Sequence, residues 1–130
     1  MAKGSKQMMA EANAAIDRIS VEEAQALLGD PSVIFLDVRE GAELDRSGRI
    51  PGALHASRGF LEFKADPESP GHDLALERGK RVVVYCGSGA RSTLAGKTLK
   101  DMGFGEAANL IGGFAAWRAA GAPIEGPEES

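Results

Sequence analysis

Cys86 is followed by Gly87-Ser88-Gly89-Ala90-Arg91-Ser92, a pattern that can stabilise a thiolate beside an anion. Gly87 and Gly89 permit positive φ, so successive loop N–H groups can turn inward as a nest for negative charge. A helix opening near Ser92 adds N–H groups without intrahelical partners and the positive end of its dipole. Cysteines in such places ionise with a pKa of about 3.5–7.5 instead of about 8.5. Arg91 closes the loop with a planar fork suited to an oxyanion such as a sulfonate or phosphate. An inert core cysteine would need neither the glycines nor the arginine.

The elements on either side place this loop. Arg81 to Tyr85, with Val82-Val83-Val84 in its middle, reads as a buried strand that ends at the thiol. Ser92 to Met102 reads as a helix stopped by Gly103. Ligands in open α/β sheets bind beyond the carboxyl ends of strands, where Cys86 falls.

Charge points the same way. The chain has 15 Lys and Arg against 19 Asp and Glu, a net charge of −4. From Arg78 to Lys100 there are six basic residues and no acidic one. Lys97 and Lys100 suit the helix C-terminus, and Lys80 and Arg81 mark a strand start. Arg91 is the one with a functional position. The acidic balance gives no nucleic-acid footprint. A single cysteine excludes an internal disulfide, a CxxC redox pair and a thiolate zinc cage. His55 and His72, 17 positions apart, form no metal-ligand pattern.

No stretch approaches the roughly 18 apolar residues of a membrane helix. Glu11 and Asn13 interrupt the N-terminal segment, so no signal peptide is expected. The expectation is a soluble, cytoplasmic protein with a reduced thiol.

The chain divides into an N-terminal extension (1–15), a folded body (16–124) and an acidic tail (125–130). Met8, Ala12 and Ile16, spaced by four, predict a short amphipathic helix that docks on the body or contacts a second copy in a homodimer. Ser20 and Glu23 form a capping box for a helix running to about Leu28. Val33 to Asp37 reads as a buried strand, Glu40 to Arg46 as one or two helical turns, and Ala53 to Ala56 as a short strand. Residues 57–72 read as a long surface loop, Asp73 to Arg78 as a weak helix, Ala107 to Leu110 as a strand and Phe114 to Ala119 as a last helix. The alternation predicts an α/β domain with a mainly parallel sheet.

Four stretches in order make the chain resemble the rhodanese-like family of single-domain sulfurtransferases. They are Asp37-Val38-Arg39-Glu40, Gly48-Arg49-Ile50-Pro51-Gly52-Ala53, the Cys86–Ser92 loop, and Gly112-Gly113-Phe114 with Trp117. The family often has histidine where this chain has Arg49. The resemblance covers roughly residues 16–124. It implies a five-stranded, mainly parallel sheet flanked by helices on both faces. It also implies that Cys86 takes sulfur from a small-molecule donor and carries it as a persulfide. The terminal sulfur would lie among the N–H groups of Gly87, Ser88, Gly89, Ala90 and Ser92, and Arg91 would bind an anionic donor such as thiosulfate. The acceptor would be cyanide or a thiol. No metal or organic cofactor is implied.

Two rival functions share these residues. Related phosphatases of this fold place five residues between cysteine and arginine, whereas this loop has four, which favours sulfur over phosphate or arsenate. A non-catalytic binding module would be expected to lack the nucleophile that is present here. Among other residues, Arg58 is a candidate second anion contact, just after the Ala53–Ala56 strand. Asp37 and Arg39, with Glu43, read as an ion-pair network that fixes a loop. His55 and Trp117 read as packed residues. Phe60 and Phe63 could wall the pocket or anchor their loop.

Overall fold

The longest apolar runs become the middle of the sheet. A computed structural model describes residues 2–127. Five strands, β1 (Asp17–Ile19), β2 (Val33–Asp37), β3 (Leu54–His55), β4 (Arg81–Tyr85) and β5 (Ala107–Leu110), pair in the order β1-β5-β4-β2-β3. Every pairing is parallel. β4 is central, with β2 and β5 paired along its edges, and its side chains enter a core on each face of the sheet. That is why it is almost unbroken valine.

Helices cover both faces. They are α1 (Ser5–Ala15), α2 (Val21–Gln25), α3 (Gly41–Ser47), α4 (Leu61–Ala65), α5 (Ala90–Asp101) and α6 (Gly113–Ala119). Side chains of β4 alternate between two cores. Val82, Val84 and Cys86 join Leu61, Leu99 and Phe104 on one face. Val83 and Tyr85 join Ile19, Phe35, Phe114 and Trp117 on the other. The period of two therefore sends Cys86 to the face covered by α5.

Most expected elements are present, with four differences. β1 was not visible in the local pattern; only the family resemblance implied a fifth strand. It is a three-residue edge strand whose Asp17 and Arg18 are exposed, so it offers almost no apolar signal. α2 keeps the Ser20–Glu23 capping box but is regular only to Gln25, with turns leading to Gly29. The 57–72 segment is not one loop: Arg58–Phe60 forms a 3-10 turn and α4 follows, with Leu61 and Ala65 buried. The helix expected over 73–78 is replaced by turns. The Asp73 carboxylate accepts the Ala75 N–H at 3.0 Å, a local bond that competes with helix formation.

At the N-terminus, α1 packs along α5 and buries Ala12. The Lys100 ammonium donates to the Ala15 carbonyl and ties the end of α1 down. At the other end, the Glu125 backbone exchanges hydrogen bonds with Arg49 at 2.8 and 2.9 Å. Residues 128–130 of the acidic tail lie outside the described residues.

Candidate active site

The Cys86 loop is shaped from behind. Phe114 N–H donates to the Cys86 carbonyl at 2.8 Å, and Ala115 N–H donates to the Gly87 carbonyl at 3.0 Å. With those carbonyls turned toward the start of α6, the N–H groups of the loop face the thiol. Gly89 N–H reaches Cys86 Sγ at 3.1 Å. Gly89 has φ +113, which an L side chain rarely adopts, and it caps α5. Gly87, expected to share that conformation, does not have positive φ. Its value is space: a β-carbon there would lie 3.3 Å from an Arg91 Nη.

Ala90 opens α5, and the first amide to find a partner within this turn is Thr93, whose N–H donates to the Gly89 carbonyl at 3.2 Å. The amides of Ala90, Arg91 and Ser92 precede it and have no intrahelical carbonyl. The Ser92 hydroxyl stands 3.4 Å from Cys86 Sγ, 3.2 Å from Gly89 O and 2.6 Å from Asn109 Oδ1. One hydroxyl hydrogen thus has three acceptors. Asn109 is oriented by its own donations, to Thr93 Oγ1 at 2.9 Å and Gly89 O at 3.4 Å.

These contacts decide the ionisation of Cys86. Burial pushes the thiol pKa up, while the Ser92 hydroxyl and the Ser92, Gly89 and Ser88 amides pull it down. The net direction is down, toward thiolate.

Arg91 does not present a free fork. Its two Nη groups donate to the two Glu43 oxygens at 2.7 and 2.9 Å. This hydrogen-bonded pairing holds Glu43 at about 2, against burial, which raises it. The Glu40 N–H on Glu43 Oε2 at 2.8 Å helps. Arg91 is correspondingly held charged.

Glu43 rides on α3, and a buried network locks α3 in place. Arg39 Nη2 donates to Asp37 Oδ2 at 2.7 Å and to the Gly48 carbonyl at 2.7 Å. Its Nη1 donates to Ser47 Oγ at 2.9 Å. The guanidinium lies 4.3 Å from the Phe114 ring centroid. Asp37 and Arg39 are therefore the structural network expected from the sequence, whereas Glu43, expected to join it, pairs with Arg91 instead. His55 and Trp117 are packed as expected: His55 Nε2 bonds the Arg39 carbonyl at 2.7 Å, and Trp117 Nε1 donates to Pro123 O at 2.7 Å.

Arg58 is not brought to this cradle. Its guanidinium bonds Glu62 at 3.0 and 3.1 Å and Thr98 Oγ1 at 3.1 Å. It lines a cavity of about 500 Å³ between α1 and α5 that includes neither Cys86 nor Arg91. Phe60 and Phe63 are exposed at 62% and 60%. Leu61, between them, is the side chain that is fully buried. Asn109 was missed in the sequence reading. Its signal was a lone polar residue in the strand Ala107-Ala108-Asn109-Leu110.

Fold and loop together define a parallel α/β domain that stabilises one thiolate in a backbone cradle at the end of its central strand. Within that class the family model of the rhodanese-like domain matches residues 20–120, and the chain belongs to the rhodanese-like family. A sulfurtransferase of Allochromatium vinosum is 34% identical over 105 residues, covering 81% of this chain and 90% of that protein. Among solved structures, a Rhodopseudomonas palustris protein of unknown function, described as a possible tyrosine phosphatase, superposes with a TM-score of 0.90 at 43% identity, covering 96% of both chains. The polysulfide-sulfur transferase homodimer of Wolinella succinogenes superposes with a TM-score of 0.73 at 35% identity, covering 92% of this chain and 85% of that one.

Proposed function

We propose that this protein is a sulfurtransferase that carries sulfane sulfur on Cys86. The carrying observation is Cys86 Sγ receiving the Gly89 N–H at 3.1 Å in a loop whose carbonyls are drawn away by α6. A thiolate held there attacks the outer sulfur of a donor. With thiosulfate, the Cys86 S–S bond forms, the donor S–S bond breaks, and its electron pair leaves on sulfite. The product persulfide anion sits where loop N–H groups can stabilise its terminal sulfur, which is electrostatic preorganisation of the kind that carries much of enzyme catalysis.

The second half-reaction passes that sulfur to cyanide or a thiol and returns the thiolate, a ping-pong cycle. With one cysteine in the chain, no internal disulfide can release the sulfur, so an outside acceptor must take it. A reducing compartment such as the cytoplasm suits this chemistry. The Wolinella relative is a homodimer, which makes a dimer the first oligomer to test here.

The description of the Rhodopseudomonas relative favours a phosphatase as the second reading. Two features weigh against it: four residues between Cys86 and Arg91, and an arginine fork already filled by Glu43. Intact-mass measurement tests the choice. Thiosulfate should add one sulfur atom to the wild type and none to Cys86→Ala, and cyanide should remove it as thiocyanate. A wild-type mass unchanged by both thiosulfate and a hydropersulfide donor, or an equal gain on Cys86→Ala, overturns the sulfur reading. Aryl phosphate turnover that disappears in Cys86→Ser would establish the phosphatase instead.

A further inference from the structure

We propose that Glu43 is a charge filter: by occupying the Arg91 fork at the mouth of the cradle, it discriminates against dianionic sulfur donors. This inference rests on the sulfurtransferase reading and makes Glu43 a specificity-determining residue of that site.

The geometry places a carboxylate where an anionic head would bind. Each Nη group of Arg91 gives one N–H to Glu43, at 2.7 and 2.9 Å, so the face of the guanidinium suited to a bidentate anion is occupied. The clamp lies over the loop, since a β-carbon on Gly87 would sit 3.3 Å from Arg91 Nη2 and 3.9 Å from Glu43 Oε1. A dianion arriving at Arg91 must displace a carboxylate or bind beside one. Near the thiolate, either course adds like charge to like charge, and the penalty grows where water is partly excluded.

Glu43 does not simply swing away. Its Oε2 also accepts the Glu40 N–H at 2.8 Å, and Arg39 pins the far end of α3 through Ser47 and Gly48. Other cations do not substitute for Arg91. Arg39 is taken by Asp37, and Arg58 and Lys97 line the separate cavity between α1 and α5. The side-chain charges of the clamp cancel, and the backbone amides remain as the attraction for a small, singly charged or neutral sulfur group.

A hydropersulfide, R–S–SH, fits that arrangement. The Cys86 thiolate attacks its outer sulfur, the new S–S bond forms on Cys86, and the old S–S bond breaks. The electron pair leaves on R–S, which takes the proton as R–SH, and Cys86 keeps the persulfide anion. No charge has to be brought to Arg91.

The test measures sulfur loading of Cys86 by intact mass, from thiosulfate and from hydroxyethyl hydropersulfide, in the wild type and in two neutral variants. Glu43→Gln keeps an oxygen for the Glu40 N–H, and Glu43→Thr removes the charge together with the reach to Arg91. Both should raise the thiosulfate-to-persulfide ratio of loading rate constants about tenfold, the effect of one partly screened charge, and the gain should shrink in high salt. Sulfate should also inhibit persulfide loading at lower concentration in the neutral variants. A ratio that stays within about twofold of wild type in both variants, with unaltered sulfate inhibition, overturns the charge filter. If neither donor loads the wild type, the underlying sulfurtransferase reading has failed instead.

Discussion

A β-carbon placed on Gly113 would lie 2.6 Å from the Cys86 carbonyl oxygen. Gly113 also has φ +61, and its Cα hydrogen faces the Gly87 carbonyl, 2.8 Å from that same added carbon. This contact lets α6 reach the back of the loop and draw its carbonyls away from the thiol.

Gly113→Ala should therefore damage stability and site together. Left-handed strain of about 1–2 kcal/mol adds to an overpacking cost of about 1–3 kcal/mol. Urea denaturation should show a loss of at least about 2 kcal/mol, and Cys86 should load sulfur more slowly in the folded fraction. An alanine variant of wild-type stability would show that α6 does not press on the loop.

The thiolate makes a prediction in pH. Alkylation of Cys86 by iodoacetamide should follow the thiolate, with a midpoint below that of a free cysteine, because the hydrogen bonds outweigh burial. Ser92→Ala removes the hydroxyl 3.4 Å from Sγ. It should raise the midpoint, because that hydroxyl is one of the groups that draw the thiol pKa down. An unmoved midpoint would mean that the hydroxyl spends its hydrogen on Asn109 alone.

The loop was legible in the sequence because its causes are local. Three valines, a thiol, two glycines and a helix start occur within one short window, and each acts on its near neighbours. Glu43 and Asn109 could not be assigned that way. They meet Arg91 and Ser92 only after the sheet forms, across 48 and 17 positions of chain. Arg58 misled for the same reason: its place after a strand was read correctly, but α4 and Thr98 on α5 turn it to another cavity. The edge strand β1 was invisible because two of its three residues face water. Its identity is set by pairing with β5, and no pattern of its own records that.

The Asp37–Arg39 pair should be far more sensitive than any surface ion pair. Both side chains are almost fully buried, and the carboxylate also accepts the Arg39 backbone N–H at 3.0 Å. Removing one partner leaves a buried charge uncompensated, at a cost of about 3–5 kcal/mol. Asp37→Ala should lose that much in chemical denaturation, and its α3 amides should exchange hydrogen faster. If the loss is below about 1 kcal/mol, the pair does not hold α3.

Glu43 links acid stability to the site. Its folded pKa of about 2 lies below the ordinary 4.5, so the folded state favours its charged form. The resulting stability is fully present above about pH 4.5 and is lost as pH falls toward 2. Arg91 and Glu43 are partly exposed, with side-chain accessibilities of 40% and 25%, so solvent screening limits the pair. A contribution of about 1 kcal/mol or less is expected. Glu43→Gln should thus be slightly less stable than wild type at pH 7, and the two denaturation midpoints should converge between pH 4.5 and 2. Divergence on acidification would reverse the sign and show that Glu43 is held against its preference. Salt adds a second reading, because a screened surface pair should weaken as ionic strength rises. The same neutralisation that costs this small stability frees the Arg91 fork, so in one variant stability should fall while thiosulfate loading rises.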